Sequence, residues 1–150
     1  MFMGEYQHSL DANGRIIVPS KFREELGTCF FATKGSADGS AGNYRCIVVY
    51  TSEDWARINE KLKNASTVDM NVTKLARFLF SGASECVPDK NGRIMISQAL
   101  REYAEIQKDV VTIGVSSRIE IWSKENWDKY NREENFIDST IAEKVSMLGI

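Results

Sequence analysis

Asp11-Ala12-Asn13-Gly14-Arg15 decides the fold of this chain, because Asp89-Lys90-Asn91-Gly92-Arg93 repeats its pattern 78 residues later. Aligning Asp11–Leu26 on Asp89–Ala104 gives seven identities in 16 positions. They are the Asp, Asn, Gly and Arg of the turn, then Ile16/Ile94, Arg23/Arg101 and Glu24/Glu102. Apolar character carries over at Ile17/Met95, Val18/Ile96 and Phe22/Leu100. Further on, Ile47–Trp55 matches Ile119–Trp127 at an offset of 72, so the first copy holds six more residues. The Gly/Ser/Asn/Asp composition of Gly35–Asn43 assigns them to a loop. The chain therefore reads as an internal repeat. Residues 1–60 form the first unit, 61–81 a connecting helix, 82–132 the second unit and 133–150 an amphipathic tail.

A unit of about 55 residues buries too little apolar surface to be stable alone, which implies that the two copies share one core. Local patterns supply the elements. Glu5–Leu10 alternates as a strand, and Asp11–Gly14 has the residues of a tight turn. Arg15–Val18 is a β-branched strand, and Pro19 opens a helix that Gly27 ends. Thr28–Lys34 and Arg45–Tyr50 form a hairpin around the loop, and Thr51-x-x-Asp54 caps the next helix. Val72, Leu75, Ala76 and Leu79 give the connector a helical stripe flanked by Phe78 and Phe80, so this helix is expected to be buried on more than one side. The second unit repeats the order, with Ser97 as an N-cap where the first has Pro19. In the tail, Ile137, Ile141, Val145 and Leu148 form an apolar stripe that calls for the body or a neighbouring subunit.

Composition excludes several functions. The chain is that of a soluble globular protein, with no apolar run long enough for a membrane span and no signal-peptide pattern, so a cytoplasmic location is expected. Three cysteines without paired spacing read as buried, reduced thiols. No cofactor, metal or small-molecule substrate is expected. His8 is the one histidine and sits on a strand face that alternates with polar positions, and no phosphate loop or nucleophile elbow is present. Asp11-x-Asn13 resembles the start of a calcium loop, but Arg15 stands where a ligand is needed. The two Asp turns are not a proton-sharing carboxylate dyad either, because each Asp comes with an Arg four residues on. The chain reads as a non-enzyme.

What remains is a turn that presents Asn and Arg twice, each Arg held by an Asp. Arg can read guanine edges in two-pronged fashion and Asn can read adenine. The same residues also fit a plain hairpin turn carrying a surface ion pair. The spacing alone fits both. Net charge is −2, but the tail from Glu133 carries four acids and one base, leaving 18 basic and 17 acidic residues in 1–132. Binding to DNA by one copy would be weak, and several copies would have to act together. The candidate DNA-binding residues are Asn13, Arg15, Lys21, Lys90, Asn91 and Arg93, with Asp11 and Asp89 in support. Arg23 and Arg101 each adjoin a repeated Glu and read first as solvated helix-face charges.

The stretch Gly4-Glu5-Tyr6-x-His8-x-Leu10-Asp11-x-x-Gly14-Arg15-x-x-x-Pro19-x-Lys21-Phe22-Arg23 resembles the MraZ family of bacterial transcriptional regulators. So do Arg77-Phe78-x-Phe80-Ser81-Gly82-Ala83, Asp89-x-x-Gly92-Arg93-Ile94 and Ile119-Glu120-Ile121-Trp122-Ser123. The resemblance covers about residues 1–130. It implies an α+β, mainly β fold in which two AbrB/SpoVT-like swapped-hairpin halves build a double-ψ-type barrel with peripheral helices. It also implies a homo-oligomeric ring in the nucleoid. That ring would bind repeated DNA boxes and repress the cell-division and cell-wall gene cluster containing its own gene. The same fold occurs in antitoxins, so the alternative is a protein-interaction module whose tail binds a partner.

Overall fold

A computed structural model describes residues 1–39, 42–65, 68–133 and 139–150. The first copy contributes β1 (Glu5–Ser9), β2 (Arg15–Ile17), α1 (Ser20–Leu26), β3 (Phe30–Gly39), β4 (Gly42–Thr51) and α2 (Ser52–Asn64). A helix, α3 (Met70–Ser81), leads into the second. The second copy contributes β5 (Ser84–Cys86), β6 (Arg93–Met95), α4 (Gln98–Tyr103), β7 (Asp109–Val115), β8 (Arg118–Ser123) and α5 (Lys124–Glu133), and α6 (Ser139–Leu148) comes last. The α+β, mainly β class and the internal repeat are as the sequence implies.

The strands form a six-stranded sheet in the order β1-β7-β8-β4-β3-β5 and a two-stranded ribbon, β2-β6. Exchanging each strand for its equivalent in the other copy reads the same order backwards. The molecule thus has an internal two-fold axis, which passes between β4 and β8 and through the ribbon. The first strand of each copy joins the hairpin of the other: β1 pairs with β7, and β5 with β3. On the axis, Ile16 faces Ile94 in the ribbon, and Val48 faces Glu120 in the sheet.

The period-2 alternation of the strands splits their side chains between two cores. On one face of the sheet, Ile16 and Ile94 from the ribbon pack with Phe22, Leu100, Phe30, Ile47, Val49, Val110, Ile119 and Ile121. Both copies fill this core, with α1 and α4 closing its sides. The opposite face carries Tyr44, Cys46, Val48, Val111, Ile113 and Trp122, covered by Trp127 and Tyr130 of α5. Farther along that face, Trp55 of α2 stacks on Phe31 and meets Phe80 of α3. Local capping agrees with the sequence. Thr51 accepts the Asp54 amide at 3.1 Å, and Ser97 accepts that of Leu100 at 3.2 Å.

Three expectations fail for identifiable reasons. The described residues of the Gly35–Asn43 stretch are strand, not loop, because β3 and β4 stay paired from Phe30↔Thr51 out to Gly39↔Gly42. Sixteen residues separate the paired Ala32 and Val49, against eight between the equivalent Thr112 and Ile121. Tyr44 explains the extension: it is buried against Trp122 and Tyr130, which gives the glycine-rich strands an apolar reason to continue. Helix α3 has no fully buried residue, and Leu75 is exposed; the sheet, Trp55 and Tyr103 of α4 cover the helix only in part. Cys29 is half-exposed and its thiol donates to Glu85 at 3.3 Å, while Cys46 and Cys86 are buried. Ile137 of the tail stripe lies outside the described residues.

Candidate nucleic-acid interface

The ribbon β2-β6 buries one face and exposes the other. Ile16 and Ile94 point into the core, so Arg15, Ile17, Arg93 and Met95 point out. Ile17 and Met95 are 53% and 55% exposed, an unusual placement for two large apolar side chains beside two arginines. The turns that precede the two strands lie at opposite ends of the ribbon.

Each turn is built by its aspartate. One oxygen of Asp11 accepts the backbone amides of Asn13 at 2.8 Å and Arg15 at 3.0 Å. Asp89 does the same for Asn91 and Arg93, both at 2.9 Å. The hydrogen bond donated by the arginine's backbone amide is the main reason that both carboxyls titrate below the usual carboxylate range, with the neighbouring guanidinium charges adding to it. The second oxygen of each aspartate faces both arginines. Arg15 Nε lies 3.7 Å from Asp11 and its Nη1 lies 3.7 Å from Asp89. Arg93 Nε lies 3.0 Å from Asp89 and its Nη1 lies 3.7 Å from Asp11. The swap therefore turns two sequence-local pairs into one four-membered charge lattice across the axis. The arginine side chains keep about a third of their surface open (31% and 32%), so the lattice holds them in place without covering them.

Two more arginines join this surface, although their sequence context pointed to solvated helix faces. The swap sets the second turn against α1, where Val18 donates its amide to the carbonyl of Gly92 at 2.9 Å. It sets the first turn against α4, with Ile96 donating to Gly14 at 3.0 Å. Arg23 of α1 lies over Gly92 and Arg101 of α4 lies over Gly14, so closely that an added Cβ would stand 2.1 Å and 2.7 Å from the respective Nη1. The buried Nε atoms of Arg23, Arg101 and Arg15 have no hydrogen-bond partner among the described residues. The signal for Arg23 and Arg101 was their identity in the repeat. Their role was hidden because each packs on the other copy's turn.

Asn13, Asn91, Lys21 and Lys90 are exposed, the asparagines and Lys90 on the turns and Lys21 at the start of α1. All eight sequence-selected residues thus fall on or beside one surface. Four arginines and two aspartates lie there, leaving a cationic excess that suits an anionic ligand. Among the described residues no group of three His, Cys, Asp or Glu side chains could hold a metal ion, and no helix is long and apolar enough to cross a membrane.

Comparison with known proteins also finds two matching segments in the chain. The family model described as "MraZ protein, putative antitoxin-like" matches residues 1–78 and again 79–146. The chain belongs to the MraZ family. A protein of Acetivibrio thermocellus named "Transcriptional regulator MraZ" is 49% identical over 150 residues, covering all of both chains. One of Clostridium acetobutylicum with the same name is 52% identical over 151 residues, again covering all of both, and one of Clostridium tetani is 49% identical over 150. MraZ-family membership therefore spans the ribbon, both turns and the shared core, and the relatives carrying this name are transcriptional regulators.

Proposed function

We propose that this chain is a sequence-specific DNA-binding transcriptional regulator that acts as a repressor. In this reading it works in the cytoplasm, on the nucleoid, as a homo-oligomeric ring bound to repeated DNA boxes. Its target is the cell-division and cell-wall gene cluster that includes its own promoter. The carrying observation is the exposed ribbon face on which Asp11 and Asp89 together aim Arg15 and Arg93. A two-stranded ribbon fits the major groove, fixed guanidiniums can read guanine, and Ile17 and Met95 can meet thymine methyls. The near-neutral charge of residues 1–132 favours an assembly in which several weak sites add up. The names of the relatives support the regulator reading, and the resemblance of the motifs supplies the gene cluster and the ring.

The test is a salt-titrated binding curve on DNA from upstream of the gene and on scrambled DNA. An Arg15→Ala, Arg93→Ala double variant should stay folded and lose the upstream DNA, since each good arginine–base contact is worth about 1–3 kcal/mol and is lost in every subunit. Arg15→Lys should lose specificity more than affinity. Full binding by the folded double variant removes the reading. Light scattering should give a mass several times 17.0 kDa; a tight-binding monomer removes the ring.

A second reading has one observation in its favour. Helix α6 exposes Val145, Met147 and Leu148, a surface suited to a partner protein, as in antitoxins. Co-purification with and without residues 133–150 tests it.

A further inference from the structure

The internal two-fold relates the two turns but not their charges. Copy by copy, the exposed lysines stand in different elements: Lys90 in the second turn, where the first has Ala12, and Lys21 in α1, where α4 has Ala99. The swap brings them to one side. The second turn rests on α1 through the Val18–Gly92 hydrogen bond and the contact of Arg23 with Gly92. At the same end of the ribbon Ile17 pairs with Arg93, and Ile17 shares an open groove with Pro19, Ser20 and Lys21. The end of the molecule at α1 therefore carries Lys21, Lys90, Arg23 and Arg93. At the equivalent positions the end at α4 carries Arg15 and Arg101; Lys108, whose carbonyl accepts the Leu10 amide beside the first turn, lines a groove there with Glu105 and Asp109.

Acidic residues sharpen the difference. Glu24 and Glu102 are equivalent and cancel. Glu25 of α1 is engaged by the N-terminal amine. Gln7, in the groove beside Lys21, has Glu85 as its equivalent at the other end, exposed and accepting the Cys29 thiol. Over the ribbon, its turns, the helix starts and the first strands, one end is thus richer by two cations and poorer by one anion.

Resting on the DNA-binding reading of the ribbon, we propose that Lys21 and Lys90 form a one-sided phosphate clamp that sets the direction in which each subunit lies on the duplex. The paired arginines are nearly symmetric about the axis and cannot choose between the two orientations. Phosphate contacts fix register and orientation without reading bases. Two lysines at one end of a ribbon seated in a groove make that end the one that draws the backbone in.

The experiment uses the full-length protein with Cys29 replaced by Ser and the shortest upstream duplex that footprinting finds protected. An iron–EDTA cleavage reagent is attached at Ser20→Cys, beside the clamp, or at Gln98→Cys, the equivalent position at the α4 end. Each reagent should cut on its own side of the protected box, in one fixed order. In a variant with the clamp moved, Lys21→Ala, Lys90→Ala, Ala12→Lys, Ala99→Lys, the order should reverse. The Lys21→Ala, Lys90→Ala variant should bind with a slope of log affinity against log salt reduced by about 1.8 per bound subunit. Equal cutting on both sides by the protein with its lysines in place, or an unchanged order after the clamp is moved, overturns the inference while leaving DNA binding intact. Failure of that protein to bind the duplex at all removes both.

Discussion

Gly14 and Gly92 are glycine for two reasons that act together. Both have φ of +77°, a left-handed conformation that costs any residue with a Cβ, and both lie under an arginine from the other copy. Gly92→Ala should destabilise the protein by at least about 1 kcal/mol, partly from backbone strain and partly from displacing Arg23. Adding Arg23→Ala should recover the second part only, so a double-mutant cycle in urea should show coupling between the two sites. Strict additivity would mean that Arg23 does not rest on the turn. His8 offers a second test at the same scale. Its Nε2 lies 2.7 Å from the hydroxyl of buried Thr112, and burial lowers its pKa from the ordinary 6.5. Below 6.5 the unfolded chain takes up a proton that the folded one refuses, so this contribution to stability is present above that pH and is lost as pH falls below it. The depressed carboxyls of Asp11 and Asp89 act in the same direction, but only below their ordinary 3.8. Unfolding at about pH 5 and about pH 7.5 isolates the histidine, whose effect is up to about 1.4 kcal/mol per pH unit. His8→Gln should flatten the slope between them; an unchanged slope would place the titrating group elsewhere.

At the scale of elements, the extension of the β3–β4 hairpin serves the face of the sheet away from the ribbon. Tyr44 meets Trp122 and Tyr130, its hydroxyl donates to Glu133, and so the hairpin holds the end of α5. Tyr44→Ala should cost about 3 kcal/mol, by analogy with other large aromatic truncations. It should speed hydrogen exchange in α5 and in α6 beyond it, yet leave DNA affinity unchanged at temperatures where the protein is folded. A matching loss of DNA affinity in the folded variant would join the two faces functionally. The extension was illegible in the sequence because its own residues, Gly35, Ser36, Asp38 and Gly39, carry loop chemistry. The decision lies with aromatic side chains some 80 residues away. Strands, caps and turns were legible because their causes are local: alternation, Thr51 and Ser97 as caps, Asp–Asn–Gly as turns. The candidate surface was half legible. The repeat marked Arg15 and Arg93, but their cross-copy pairing with Asp89 and Asp11, and the seating of Arg23 and Arg101, come from strand exchange. Periodicity carries no record of which copy a strand joins.

For the whole molecule, strand exchange means that neither half is complete. β1 has its partner in β7 and β5 in β3, so a half standing alone would leave its first strand unpaired and Ile16 or Ile94 uncovered. A half could be stable only by pairing with a second copy of itself across the former two-fold axis. The two halves differ in what that axis would bring together. In the first half, Ile16 would face Ile16 and Val48 would face Val48, both apolar. In the second, Ile94 would face Ile94, but Glu120 would face Glu120. That side chain is nearly buried, 3.0 Å from the Trp122 indole nitrogen and 3.1 Å from the Arg118 guanidinium. Opposed across a strand pair at this depth, two carboxylates repel and keep a desolvation cost that one arginine each offsets poorly. Residues 1–65 expressed alone should therefore form a folded homodimer at micromolar concentration. Residues 82–133 should remain unfolded or associate only when Glu120 is replaced by Val, the residue facing it in the intact chain. Light scattering and circular dichroism on the two fragments and on Glu120→Val decide the matter. A folded monomer from either half would mean that the exchange of first strands does not hold the molecule together, and an unaided dimer of the second half would remove Glu120 as the element that keeps the pairing between unlike copies.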